Sequence, residues 1–149
     1  MVVLSWNCDL RGLFNSSHYK RDSNTPIILF DDIDKISFST DPTNIQDAIV
    51  EGDLLMLDVV YGGGCQKHEF KLYGWKGITK SNPPQAEIFL SHNANNDYCK
   101  VLIYNELTFD LTPLKMHYRK NYHQGGPLLL RIYAPGYSEP FLPLPLYKF

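Results

Sequence analysis

The sequence predicts a mainly β protein, an antiparallel β-sandwich or open barrel with one short helix near residues 113–122. Ten Tyr, eight Phe and ten Pro among 149 residues favour strands over helices. Several short runs alternate apolar and polar residues, as strands with one buried face do. Neither an internal repeat nor a linker divides the chain. We therefore expect a single β domain over residues 1–149, best patterned at 52–133.

The N-terminal third is less regular than the rest. Residues 26–30 and 36–39 are short apolar strand candidates, and residues 2–6 form a third. Residues 43–50 predict one helical turn or a loop, because their apolar positions follow no strict alternation.

The clearest strand candidate covers residues 53–62. Apolar residues occupy both of its faces, which is typical of a central strand. The first face carries Leu55, Leu57, Val59 and Tyr61, and the second carries Leu54, Met56, Asp58 and Val60. Asp58 would need a partner if it were buried, and Arg131 on a later strand is the candidate.

Three further runs alternate clearly. Residues 68–75 place His68, Phe70 and Leu72 on the inner face. Residues 86–92 and 99–107 flank an Asn- and Asp-rich turn, so we expect them to pair as a hairpin.

The last third predicts a helix, a late strand and an unusual tail. Thr112 and Pro113 form a typical helix start, with Thr as the cap and Pro in the first turn. Residues 126–134 predict a strand. The proline-rich tail fits only an edge position or extended packing. We expect it to cover a sheet edge, with an exposed ligand-binding patch as the alternative.

The charge pattern excludes several classes of partner. Acidic and basic residues are interspersed and the net charge is −2, so we expect no nucleic-acid binding. No apolar segment approaches the length that membrane insertion requires. The ligand, whether a protein or a small molecule, is not specified by any motif.

The N-terminus lacks a signal peptide, which predicts a cytoplasmic protein if the chain is complete. An oxidised cysteine pair or a removed leader would instead place it outside the cytoplasm.

Two cysteine–histidine doublets are the most informative feature of the chain. Cys65 and His68 lie in YGGGCQKHEF, and His92 and Cys99 lie in LSHNANNDYCKV. Both doublets stand where strands meet loops, so the four side chains could gather at one end of a β domain. Cys8, the third cysteine, lies in a weakly patterned segment and is expected to stay unpaired.

Three interpretations of the doublets remain open. Cys65, His68, His92 and Cys99 could bind zinc, because Cys2His2 is a valid tetrahedral ligand set. Cys65 and Cys99 could form a disulfide, which needs only two cysteines in register. Alternatively, the cysteines are reduced and packed in the end of the core beside hydrogen-bonded histidines.

A catalytic interpretation uses the same residues. Cys65 would be the nucleophile, His68 or His92 its base, and glycine N–H groups an oxyanion site. The sequence gives no sign that this cysteine is exposed or has a lowered pKa, so we assign no catalytic residue.

Structural roles are expected for five residues around the doublets. Three consecutive glycines, Gly62, Gly63 and Gly64, permit a close backbone approach or a positive φ. Asp97 belongs to the Asn- and Asp-rich turn. Asp58 completes the set as the charged residue within an apolar strand.

These segments resemble a small family of uncharacterised bacterial proteins. The resemblance rests on GGGCxxHxF at residues 62–70, HNxxxDxC at 92–99 and FDLxPL at 109–114. It covers roughly residues 52–132 and implies a shared domain without an assigned activity. It also implies that Cys65, His68, His92, Asp97 and Cys99 belong to one site.

Two hypotheses about function follow. The first is a non-enzymatic binding or structural module whose Cys/His cluster stabilises one end. The second is a metal-dependent or thiol-dependent enzyme that uses Cys65, His68, His92 and Cys99. An enzyme requires an open ligand position or an exposed thiolate beside a cleft, whereas buried and fully paired side chains favour the module.

Overall fold

The computed structural model describes residues 24–123 and 125–149. Within these residues the chain forms nine strands, a short 3-10 helix and one α-helix, α1. The predicted strand at residues 2–6 and the expected unpaired Cys8 lie outside the described residues. The elements are β1 (Thr25–Pro26), β2 (Ile28–Phe30), the 3-10 helix (Ile33–Lys35), β3 (Asn44–Glu51), β4 (Leu54–Gly63), β5 (Glu69–Thr79), β6 (Gln85–Asn93), β7 (Val101–Asp110), α1 (Thr112–Tyr122), β8 (Leu128–Tyr133) and β9 (Leu146–Tyr147).

The strands form two sheets that pack face to face as a β-sandwich. Sheet A has the order β1-β7-β4-β3, and sheet B has the order β2-β5-β6-β8-β9. The predicted sandwich with one helix is therefore confirmed, and the open barrel is not formed. Three pairings, β1 with β7, β2 with β5 and β6 with β8, are parallel, so the sheets are mixed.

The core lies between the inner faces of the two sheets. From sheet A it receives the alternating residues of β4 and β7, and from sheet B those of β5, β6 and β8. Several of these side chains have no exposed surface: Leu55, Leu57, Leu72, Ile88, Leu90 and Ile132. Burial of apolar area on this scale is the dominant favourable term in folding.

β4 is a central strand, as its sequence predicts, but the residues on its second face are not part of the core. Its inner residues are buried as predicted. Leu54, Met56 and Val60 are half-buried on the outer face, and Asp58 is exposed beside them. The predicted pairing of Asp58 with Arg131 is wrong, because Arg131 lies in sheet B and donates to the hydroxyl of Tyr133.

The predicted hairpin of residues 86–92 with 99–107 is wrong. β6 pairs with β5 and β8 in sheet B, whereas β7 pairs with β4 and β1 in sheet A. The intervening turn therefore carries the chain from one sheet to the other. Asn95 and Asn96 adopt positive φ angles there, 50° and 56°. Alternation alone cannot distinguish a strand that turns back from one that crosses to the facing sheet.

The N-terminal part of the described chain differs from prediction at two places. Residues 44–51 form β3 instead of a helical turn or loop, and a register shift between Ile45 and Asp47 explains their irregular pattern. Residues 36–39 are not a strand. Phe38 packs against the ring of Tyr73, and Ser37 accepts the Tyr73 hydroxyl, so this segment covers the outer face of sheet B.

The helix closes one end of the sandwich at the predicted place. Leu114 and Tyr118 are its buried residues. Thr112 is the first helical residue and not the cap. Leu111 holds the cap position without a side-chain bond, and the Asp110 carboxylate instead accepts the N–H and hydroxyl of Thr112.

The proline-rich tail covers an edge of sheet B. It ends in β9, which pairs with β8 through Tyr147 and Leu146. The side chain of Tyr147 is fully buried and its hydroxyl donates to Asp53. Of the two sequence-based alternatives for the tail, the structure has the covering one.

Among the described residues, no helix is long and apolar enough to cross a membrane.

Candidate functional site

The Cys/His residues gather at one end of the sandwich, where the loop between β4 and β5 meets the crossover from β6 to β7. The loop between β4 and β5 supplies Cys65 and His68, and the end of β6 supplies His92. The crossover between the sheets supplies Asp97 and Cys99. We call these five residues the end cluster.

Cys65 and Cys99 are joined in a disulfide. Their Cα atoms lie 5.8 Å apart, within the ordinary range for such a bond. Cys65 follows β4 and Cys99 precedes β7, and these neighbouring strands pair as far as Gly63 with Val101. Pairing of β4 with β7 brings the two cysteines together.

The four residues predicted as zinc ligands are not arranged around a common point in this oxidised state. The two sulfur atoms bond to each other, so neither is a free thiolate. A carboxylate oxygen of Asp97 and the two sulfur atoms lie within 4.8 Å of one another. His68 and His92 instead hydrogen-bond to each other, with 2.7 Å between Nδ1 of His68 and Nε2 of His92.

The two histidines belong to a chain of hydrogen bonds that runs through the end of the core beside the disulfide. Nε2 of His68 lies 2.9 Å from Oδ2 of Asp97, and Nδ1 of His92 lies 2.5 Å from the hydroxyl of Thr43. The carbonyl oxygens of Asp41 and Pro42 also lie within 3.2 Å of this nitrogen.

Three oxygen atoms, the Thr43 hydroxyl and the carbonyls of Asp41 and Pro42, surround Nδ1 of His92, so this nitrogen is the donor and Nε2 of His92 accepts the Nδ1–H of His68. The Asp97 carboxylate accepts the Nε2–H of His68. Burial lowers the pKa of His92 below its usual value, and His68 lowers it further, against the opposing effect of the Asp41 and Pro42 carbonyls. His92 is therefore neutral at pH 7.

The carboxylate of Asp97 receives four hydrogen bonds. Oδ2 accepts the N–H groups of Cys65 and Gln66 in addition to His68, and Oδ1 accepts the N–H of Cys99. Burial alone would raise the pKa of Asp97. The hydrogen bonds from His68 and the three backbone N–H groups outweigh that effect and hold the pKa well below its usual value.

The side chains that form this chain of hydrogen bonds are closed to solvent. His92 is 1% exposed, and the side chains of His68 and Asp97 are 4% and 0% exposed. Aromatic rings cover them: Phe70 stacks on His92 with 4.4 Å between ring centroids, and Tyr61 lies 4.7 Å from His68. Every fully buried side-chain polar atom in the described part of the chain has a hydrogen-bond partner.

The glycine run allows this close packing at two of its three positions. A Cβ on Gly63 would lie 2.4 Å from Nε2 of His68 and 2.9 Å from Oδ2 of Asp97. Gly64 has a φ of 113°, which side-chain-bearing residues rarely adopt. A Cβ on Gly62 would meet nothing.

The sequence does not predict that Thr43 and the aromatic cover belong to the site. Thr43 lies just before β3, in the segment predicted as a helical turn or loop, and no motif marks it. Tyr61 and Phe70 were predicted only as inward-facing strand residues. Asp97 was expected in a turn, which gave no sign that its carboxylate points into the protein.

Replacing both Cys65 and Cys99 with Ala should destabilise the domain. The disulfide closes a loop of sequence separation 34, which corresponds to about 3–4 kcal/mol of unfolding free energy by the chain-entropy argument. Urea denaturation measures the loss. A reductant should lower the wild-type midpoint by a similar amount and leave the double variant unchanged. Equal midpoints for wild type and variant would show that the disulfide does not stabilise the fold.

The change Gly63→Ala should cost about 1–3 kcal/mol, because the added methyl group collides with His68 and Asp97. The matched control is Gly62→Ala, whose methyl group has free space and should change stability by less than about 0.5 kcal/mol. Thermal unfolding of the two variants gives the comparison. Equal melting temperatures would contradict the close packing at residue 63.

The change Asp97→Asn should lower stability at neutral pH and remove one acid-sensitive contribution. Because the folded pKa of Asp97 is lowered, its contribution is complete above its unfolded pKa of about 4 and is lost as the pH falls below that. The difference in urea midpoint between wild type and variant should therefore narrow from pH 5 downward. A difference that stays constant into strong acid would be inconsistent with a charged Asp97.

The fold is similar to that of several solved structures. A NigD-like immunity protein from Bacteroides caccae has 17% identity and a TM-score of 0.53, with 73% of this chain and 52% of that chain covered. A protein of unknown function from Bacteroides vulgatus has 20% identity and a TM-score of 0.50, with 84% and 55% covered. A candidate lipoprotein from Bacteroides fragilis has 9% identity and a TM-score of 0.56, with 84% and 70% covered. The chain thus spans about half the length of the first two, and identities this low show a shared fold alone.

The family comparison covers most of the sandwich. No curated protein matches the chain. The NigD-like C-terminal beta sandwich domain matches residues 26–123, which include strands β3 to β7 and the whole end cluster. The match covers well over half of the 149 residues, and the chain belongs to the NigD-like C-terminal beta sandwich domain family.

Proposed function

We propose that this chain is a non-enzymatic binding module that recognises a protein partner outside the cytoplasm. In this module the end cluster has a structural role and holds the connections between strands in place. The observation that carries this proposal is the closure of the cluster: its histidines and its carboxylate are buried and bonded to one another. A catalytic pair would need one such group at the surface of a cleft.

The chemistry of the cluster supports a structural role. Cys65 has no free thiolate while it is bonded to Cys99, so the oxidised end cluster offers no thiolate nucleophile. The chain of hydrogen bonds ends at Thr43, which is 3% exposed and lies inside the protein. A buried polar network of this kind fixes the geometry of the segments it joins.

The disulfide supports a location outside the cytoplasm. Such bonds persist in oxidising environments and are rare in the cytoplasm. The structural similarity to a candidate lipoprotein is consistent with a location outside the cytoplasm, and the similarity to an immunity protein is consistent with a protein partner. We also propose that residues 1–149 form a single domain.

Chemical modification tests whether the cluster is closed. In the native protein, diethyl pyrocarbonate should modify the exposed His123 and leave His68 and His92 unmodified, because the reagent needs an accessible ring nitrogen. Peptide mass spectrometry locates the adducts, and the unfolded, reduced protein is the control in which all three react. If His68 or His92 in the native protein reacted as fast as His123, the cluster would be open and the structural role would be contradicted.

A further inference from the structure

We infer that the outer face of sheet A is the docking surface of the module, and that its partner is a protein surface carrying lysine or arginine side chains beside apolar ones. This inference rests on the proposed binding role and adds to it a location and a partner chemistry.

The first observation is the distribution of charge between the two sheets. The four strands of sheet A carry five carboxylates and no Lys, Arg or His, while the net charge of the whole chain is only −2. The strands of sheet B, by contrast, include Lys71, Lys76, His92 and Arg131. The acidic residues of sheet A are Asp47, Glu51, Asp58, Glu106 and Asp110.

The strand register places all five on the outer face. In β4 the inner positions are the odd-numbered residues, so Leu54, Met56, Asp58 and Val60 point outward. Partners of these residues in β3 and β7 share that face. Asp110 bonds to Thr112, but the other four carboxylates form no ion pair among the residues that the structure describes.

Three of the carboxylates form a row across the sheet. Asp47 pairs with Asp58 in register, and Asp58 pairs with Glu106 on its other side. Like charges directly opposite each other on neighbouring strands repel and destabilise a sheet. A partner that brings cations to this row would relieve the repulsion, whereas the described part of the chain supplies none to it.

Apolar side chains flank the row on both sides. On one side Val60 pairs with Tyr104, which is 73% exposed. On the other side Ile49, 47% exposed, pairs with Met56. Leu102 extends the first flank and is 59% exposed. Contiguous exposed apolar patches with polar or charged residues beside them are typical of protein interaction sites.

This combination selects one kind of occupant. A small cation would neutralise the row and leave the apolar flanks in water. Nucleic acid and anionic lipid surfaces would be repelled by the carboxylates. A second copy of the chain, docked through the same face, would bring its own acidic row against this one. A protein surface with basic and apolar side chains matches both parts of the face.

The test uses a short amphipathic peptide of leucine and lysine as the probe, titrated into the isotope-labelled full chain. Backbone amide shifts should change in β3, β4 and β7. The double change Asp58→Asn with Glu106→Gln should weaken binding by about tenfold at low salt. Its matched control is Glu69→Gln with Glu87→Gln in sheet B, which removes the same charge and should bind as wild type does.

A second variant tests the apolar part of the face. Leu102→Ser with Tyr104→Ser should weaken binding of the leucine–lysine peptide and leave the melting temperature unchanged, because both side chains are largely exposed. A peptide of serine and lysine should bind wild type more weakly than the leucine–lysine peptide.

Several outcomes would overturn the inference. They are shifts that map to sheet B, equal losses in the two charge variants, a serine–lysine peptide that binds equally well, or a wild-type dimer that the sheet A variants dissociate. Each of the first three results would assign binding to another surface or to another interaction, and the proposed binding role would remain. Reactive histidines in the modification experiment would contradict the proposed function independently of any of these results.

Discussion

The carboxylate of Asp97 is the group on which one end of this molecule depends. It is buried and charged, and a charge inside a protein is stable only when donors surround it. Cys65, Gln66, His68 and Cys99 provide these donors, and each comes from a connection between strands. A single side chain thus orders the segment after β4, the start of β5 and the segment before β7.

The hydrogen bonds extend this order across the sandwich. From Asp97 they pass through His68 and His92 to Thr43, which stands before β3. They therefore join loops of sheet A to strands of sheet B inside the core, where apolar contacts alone would specify position less strictly. The aromatic cover from Tyr61 and Phe70 excludes water and strengthens each bond.

The sequence predicted features that depend on local pattern and missed those that depend on how sheets assemble. The inward phase of His68 and Leu72 follows from alternation, and both side chains are buried. Cys65 and Cys99 were expected at the same end of the domain only because both lie where strands meet loops. They are close because β4 and β7 pair, and no local signal encodes such a long-range pairing. Thr43 was not predicted for a related reason. The bulge in β3 interrupts the alternation of apolar and polar residues, so the sequence does not reveal that a strand follows Thr43.

The disulfide also changes how the chain is connected as a whole. Cys65 and Cys99 stand at the ends of two neighbouring strands of sheet A, and everything between them, including all of β5 and β6, is an excursion into sheet B. The excursion is closed covalently at its base. The turn around Ser81 and Asn82 is exposed at its far end. A protease that cuts there leaves the two halves linked by the disulfide, so the domain can be nicked without separating into fragments.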